Sequence, residues 1–184
     1  MIECNYCGLV FADGDRITLE NAYILHVMRK HKNDTPKEKD CWDRMYIVGI
    51  IGSSKADKKE HFDFIEKLIV ELLKKQEDTL IVTGDANGVD LAVRLICLKN
   101  RLKHSVIYAR FDSWAFYKMR NEIIANYCDR IISIALPLDK TPCYHCNSNT
   151  HDKTAGCYTG KLNGNYEVII IPHNNKKKVG IEWV

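Results

Sequence analysis

The 184-residue sequence predicts an α/β domain built on a parallel sheet with helices on both faces, accompanied by small zinc-binding modules. Three observations predict it. Continuous β-branched runs, YIVGIIG at Tyr46–Gly52 and TLIVT at Thr79–Thr83, suit strands buried on both faces. Between them Phe62, Ile65, Leu68, Ile69, Leu72 and Leu73 recur at helical spacing. Cysteine and histidine gather at the two flanks, as C-x2-C-x18-H-x4-H and C-x2-C-x4-H-x5-C.

Taken in order, residues 1–35 read as a C2H2-like zinc finger with ligands Cys4, Cys7, His26 and His31. Two cysteines in a tight turn and two histidines on a helix at 22–32 can aim four ligand atoms at one tetrahedral ion. The 18-residue spacer is longer than such fingers usually carry. Residues 36–44 form a polar linker that begins at Pro36. The main domain fills 45–184. After the first strand and helix come the Thr79–Thr83 strand, a helix at 91–100, a strand at 105–109 and a helix at 117–127. A strand at 130–136 follows, closed by Pro137, then a strand at 166–171 and a short edge strand at 179–184. A zinc-knuckle-like insertion at 140–158 supplies Cys143, Cys146, His151 and Cys157, with His145 and His173 as alternative ligands. A segment so short and poor in large apolar residues needs a metal to hold it.

Composition sets the outer limits. The chain is 46% apolar, enough for a core, and its formal net charge is +3, with no strongly basic half of the kind that advertises nucleic acid, although a folded surface can still concentrate Arg and Lys. The Lys176, Lys177, Lys178 run reads as a solvated turn. No apolar run reaches the roughly 20 residues of a membrane helix, and the amino terminus lacks the pattern of a signal peptide. A soluble, cytoplasmic protein without a membrane partner is expected. There the eight cysteines point to metal rather than disulfides, while Cys97 and Cys128 lie in apolar segments as buried thiols.

In parallel sheets ligands bind where strand carboxyl ends meet helix amino termini. Gly52, Ser53, Ser54 and Lys55 after the first strand offer backbone approach, two hydroxyls and a cation. Gly84, Asp85, Ala86, Gly88 and Asp90 after the second form a glycine-containing loop just before a helix. Arg120 and Asn121 can bring a charged fork and an amide to a phosphate or ribose.

These residues resemble a known family. GSS after the first strand, TGDANGVD after the second, then Trp114, Arg120-Asn121 and Asp129 are similar to the SLOG superfamily of Rossmann-like domains. The likeness is nearest its YspA/cpYpsA-related branch, which shares the G-x-A-x-G-x-D loop with the DNA-processing protein A family. It covers about 45–171. It implies a Rossmann-like fold and a nucleotide-derived ligand, makes Thr154, Ala155 and Gly156 a second phosphate loop, and lets Cys157 bridge that loop to the zinc site. The stretch KTAGCYTGK departs from the cytokinin-activating branch by lacking its glutamate, so catalysis is not inherited.

Three functions compete. The first is a binding protein or sensor for a nucleotide or nucleotide-derived ligand, with two structural zinc ions and pairing into a homo-oligomer. The second is a nucleic-acid-binding adaptor, with DNA or RNA as partner of the zinc modules through Arg16, Arg29, Lys30 and Lys32. The third is a hydrolase or transferase at an N-glycosidic bond, with Asp85 or Asp90 as its carboxylate and no visible paired acid.

Overall fold

The computed structural model describes residues 46–76 and 78–172, together with the backbone of two short strands, β1 (Ile2–Glu3) and β2 (Val10–Phe11). These two pair antiparallel. Cys4, Cys7, His26, His31, the linker, His173 and the strand expected at 179–184 lie outside the described residues.

The main sheet has five parallel strands: β3 (Tyr46–Gly52), β4 (Thr79–Thr83), β5 (His104–Val106), β6 (Arg130–Ala135) and β9 (Tyr166–Ile170). Their spatial order is β5-β4-β3-β6-β9. The chain therefore winds outward from β3 in one direction, then crosses back to β6 and winds in the other. Four helices make the crossovers: α1 (Lys59–Lys75), α2 (Val89–Lys99), α3 (Trp114–Tyr127) and α4 (Ala155–Asn163).

Alternation along the strands divides the core between two faces. Val48, Ile50, Ile81, Ile132 and Ile134 pack with Ile65, Leu68 and Ile69 of α1 and Val89, Val93 and Ile96 of α2. Ile51, Val82 and Ile131 pack with Ile123 and Ile124 of α3 on the other side. The i, i+3, i+4 spacing in α1 is thus the stripe it lays on the sheet, and Lys74 and Lys75 in its last turn suit the negative end of its dipole.

Two elements depart from the sequence reading. The stretch at 155–163 is the helix α4 rather than a loop; Thr154 caps it, its Oγ1 accepting from the Gly156 N–H at 3.3 Å. Strands β7 (Pro142–Cys143) and β8 (Ser148–Asp152) form an antiparallel hairpin inside the β6-to-α4 connection. Asp152 pins its base by accepting from the N–H groups of Asp139, Lys140 and Thr141 at 2.9, 3.1 and 3.3 Å. These bonds hold its carboxyl below the usual range, Asp139 contributing most. Among the described residues no helix is long and apolar enough to cross a membrane.

Candidate functional site

Strand order reverses between β3 and β6, and a cleft of about 360 Å³ opens on the carboxyl side of that switch point. The β3 loop, the start of α2, one side of α3 and the start of α4 wall it. Gly52, Ser53, Ser54, Lys55, Ala86, Asp90, Trp114, Arg120, Asn121 and Thr154 all line it, joined by Ile51, Asn87, Tyr117, Lys153 and Ala155. The β3 loop and α2 are tied together: Ser53 N–H donates to Ile134 O at 2.9 Å, and Val89 N–H donates to Ser53 O at 3.1 Å.

The other expected residues shape the cleft from behind. Gly88 has φ +73°, and a Cβ there would meet the Ser53 and Ser54 backbone, so only glycine lets α2 start this close to the first loop. A Cβ on Gly84 would strike Asp90 and the Arg120 guanidinium. Gly156 faces inward, 2.5 Å from Ser133 Oγ and 2.6 Å from Ile51 O by the position its Cβ would take. It lets α4 lie on the sheet. Asp129 stands at the opposite edge, where Oδ2 accepts the Ile47 N–H at 2.8 Å.

The floor of the cleft is a buried charge network. Arg120 is 3% exposed and spends its fork inside the protein rather than presenting it. Nη1 is ion-paired with Asp85 Oδ1, while Nε and Nη2 donate to Asn121 Oδ1 at 3.1 and 2.9 Å. Nη2 also lies 3.7 Å from Asp90 Oδ2, and Tyr117 covers the guanidinium at 5.2 Å. Asp85 turns away from the cleft toward Arg120 and accepts the Ala109 N–H at 3.0 Å, so its charge is neutralised. Asp90 is fully buried, and its Oδ1 accepts the Gly52 N–H at 3.4 Å. Burial pushes its carboxyl up to about 6 against the opposing pull of Arg120. Asp90 Oδ2 and Asn121 Nδ2, both buried, have no hydrogen-bond partner.

The rim is different. Trp114 is largely exposed, 6.2 Å from the Tyr158 ring, and Lys153 lies over the Tyr144 ring at 4.4 Å. A larger open depression on α1, around Asp63, Glu66 and Lys67, is a solvated charged helix surface remote from these loops.

Beside the cleft the hairpin and α4 assemble a second constellation. The ligand atoms of Cys143, Cys146, His151 and Cys157 lie within 4.8 Å of one another, so this group can hold a metal ion. A tetrahedral ion with metal–sulfur bonds near 2.3 Å places its ligands roughly this far apart. His151 Nδ1 donates to Asp152 O at 2.8 Å, which turns Nε2 toward the sulfurs, 3.2 Å from Cys146 and 3.8 Å from Cys157. Three ligands are buried, and Ser133 Oγ sits 3.3 Å from Cys157 Sγ. His145 is not among them. Its ring lies between Tyr144 and Tyr158.

Residues 44–146, more than half of the chain, match the sequence model of the lipid-A-disaccharide synthetase family (LpxB). The chain belongs to that family. The matched stretch holds β3 through β6 with Asp85, Asp90, Arg120 and Asn121, and it ends before His151, Thr154 and Cys157. Among solved structures, DNA processing protein A (DprA) from Streptococcus pneumoniae is similar, with TM-score 0.50 and 18% identity. That likeness covers 72% of this chain and 52% of the DprA chain, so the chain spans about half the length of that structure. At this identity it shows a shared Rossmann-like fold. No curated protein matches.

Proposed function

We propose that the chain binds a nucleotide or nucleotide-derived ligand in the switch-point cleft, as a SLOG-like domain with structural zinc. The observation that carries this reading is the meeting of two helix amino termini, those of α2 and α4, with the β3 loop around one cleft. Backbone N–H groups there, with the Lys55 and Lys153 side chains, suit a phosphate. The exposed Trp114 ring at the rim suits a base. Zinc is the ion that the Cys3His set at Cys143, Cys146, His151 and Cys157 fits best, since thiolates and imidazole favour it and four protein ligands leave no open position. A second zinc at Cys4, Cys7, His26 and His31 belongs to the same proposal.

Native mass spectrometry of the full chain tests the reading, because it reports bound nucleotide, zinc and subunit count together. Titration with AMP, ADP and ADP-ribose should give binding that Trp114→Ala weakens about tenfold. Absence of binding for every nucleotide up to millimolar concentration would overturn it.

The fold likeness to DprA favours one other reading, a nucleic-acid-binding adaptor. The exposed Arg110, Phe111 and Trp114 at the start of α3 are the side chains that would meet a strand. In that case a single-stranded oligonucleotide outcompetes mononucleotides, with strong salt dependence. A catalytic reading, in keeping with an enzyme family name, falls on Asp90, whose carboxyl burial pushes up to about 6.

A further inference from the structure

We infer that Asp90 and Asn121 together form a subsite for a sugar hydroxyl, so that the cleft selects a ligand with an intact ribose diol. The inference rests on the nucleotide reading above and names the part of the nucleotide that reaches the floor.

Asn121 is 0% exposed, and its amide orientation is fixed. Two Arg120 N–H groups point at Oδ1, so a flipped amide would set donors against donors. Nδ2 is therefore the free end, a buried donor with no acceptor. Asp90 Oδ2 is the converse, a buried acceptor without a hydrogen bond of its own: Arg120 Nη2 stands 3.7 Å away as an ion pair, and the Ala86 N–H acts on the carboxyl only as a minor pull. Both residues line the same cleft, and Asn121 Oδ1 and Asp90 Oδ2 lie 2.9 and 3.7 Å from the same Nη2 atom, which sets the two side chains side by side. Buried polar groups left unpaired are costly, so the pair is built for an occupant that satisfies both.

Few groups do. A phosphate offers acceptors alone; it would answer Nδ2 but bring its charge against the Asp90 carboxylate. An ammonium offers donors alone and leaves Nδ2 unanswered. A hydroxyl donates to the carboxylate and accepts from the amide with one oxygen. A cis-diol presents two such oxygens side by side. With the diol on the floor, the phosphate falls to the helix termini and Lys55 at the rim.

The test is calorimetric titration of the full-length chain with AMP and with 2′,3′-dideoxy-AMP. AMP should bind about tenfold or more tightly than the dideoxy compound, since the latter leaves both buried groups unanswered. Asn121→Asp keeps an oxygen for Arg120, exchanges the free donor for an acceptor and adds a charge that bears on both phosphate-carrying ligands alike. The ratio of the two affinities is therefore the readout: the preference for AMP should fall about tenfold, a selective loss that general misfolding would not produce. Equal affinity of the two ligands for the native protein would overturn the diol subsite and leave the nucleotide reading standing. Equal losses for both ligands in Asn121→Asp would also overturn it. Failure of both ligands to bind would overturn the two readings together.

Discussion

Asp85→Asn is the most informative single change in the cleft. Taken alone, a carboxylate in a phosphate-binding loop is an electrostatic burden, and its removal should be harmless or helpful to anion binding. The geometry reverses this expectation. Asp85 is the ion-pair partner of Arg120, and their side chains are 19% and 3% exposed. Removing one member of a buried pair costs about 3–5 kcal/mol, because the remaining charge stays desolvated. Asparagine keeps a neutral acceptor for Nη1 and for the Ala109 N–H, and Asp85 is not fully buried, so about 2–3 kcal/mol is expected. For a chain of this size that lowers Tm by roughly 5–10 °C. A second readout is independent of stability. Asp90 stands near 6 mainly through burial, opposed by Arg120, with a smaller upward push from Asp85. In Asp85→Asn that push is gone and Arg120 turns to its remaining carboxylate, so Asp90 should titrate lower. Thermal melts and carboxyl-selective NMR titration check both. A Tm within a degree of the native protein, with Asp90 still near 6, would show that the network does not hold the cleft.

The buried Asp90 carboxyl and the Cys/His cluster each carry a further prediction. Asp90 is raised in the folded state above its ordinary 3.8, so its contribution is full below about pH 4 and is lost as pH rises through about 6. Denaturant unfolding at pH 4 and pH 7 should therefore show Asp90→Asn gaining about 2 kcal/mol relative to the native chain over that interval; parallel pH profiles would contradict it. Elemental analysis of chelator-free protein should find two zinc ions per chain, and Cys157→Ser should remove one of them; undiminished zinc in that variant would exclude Cys157 as a ligand.

The strands β3 and β4 were legible to the residue because buried parallel strands are written as uninterrupted β-branched runs. The strand expected at 105–109 ends instead at Val106, since the chain then leaves the sheet and Ala109 gives its N–H to Asp85. Helix α4 escaped the sequence reading because AGCYTGKLN carries two glycines, and neither propensity nor apolar spacing marks it as a helix. The glycines are there for contact: Gly156 meets Ser133 and Gly160 meets the Tyr166 ring. The β7–β8 hairpin was hidden for a related reason, its polar SNTHD strand being organised by a carboxylate and ligand side chains rather than by hydrophobic alternation. The sequence order placed both loops and the Arg120-Asn121 pair at the carboxyl ends of the strands, where the cleft opens, with Gly84, Asp85 and Gly88 behind its lining. Which way Asp85 turns was not, although a buried arginine demands a counter-ion and Asp85 lay within the loop already singled out.

Cys157 lies in the first turn of α4, and α4 is the element that carries the chain from the hairpin to β9. This helix sets glycines against the sheet, and an ion held by Cys157 and the hairpin ligands would tie it down at the last crossover. With the zinc proposed above, metal supply would become an assembly checkpoint. Were α4 and β9 to detach without the ion, β6, with Ile132 and Ile134, would become the edge strand, and an unprotected edge of that composition invites pairing with another copy. Metal starvation during synthesis would then be an aggregation hazard before it is a loss of binding.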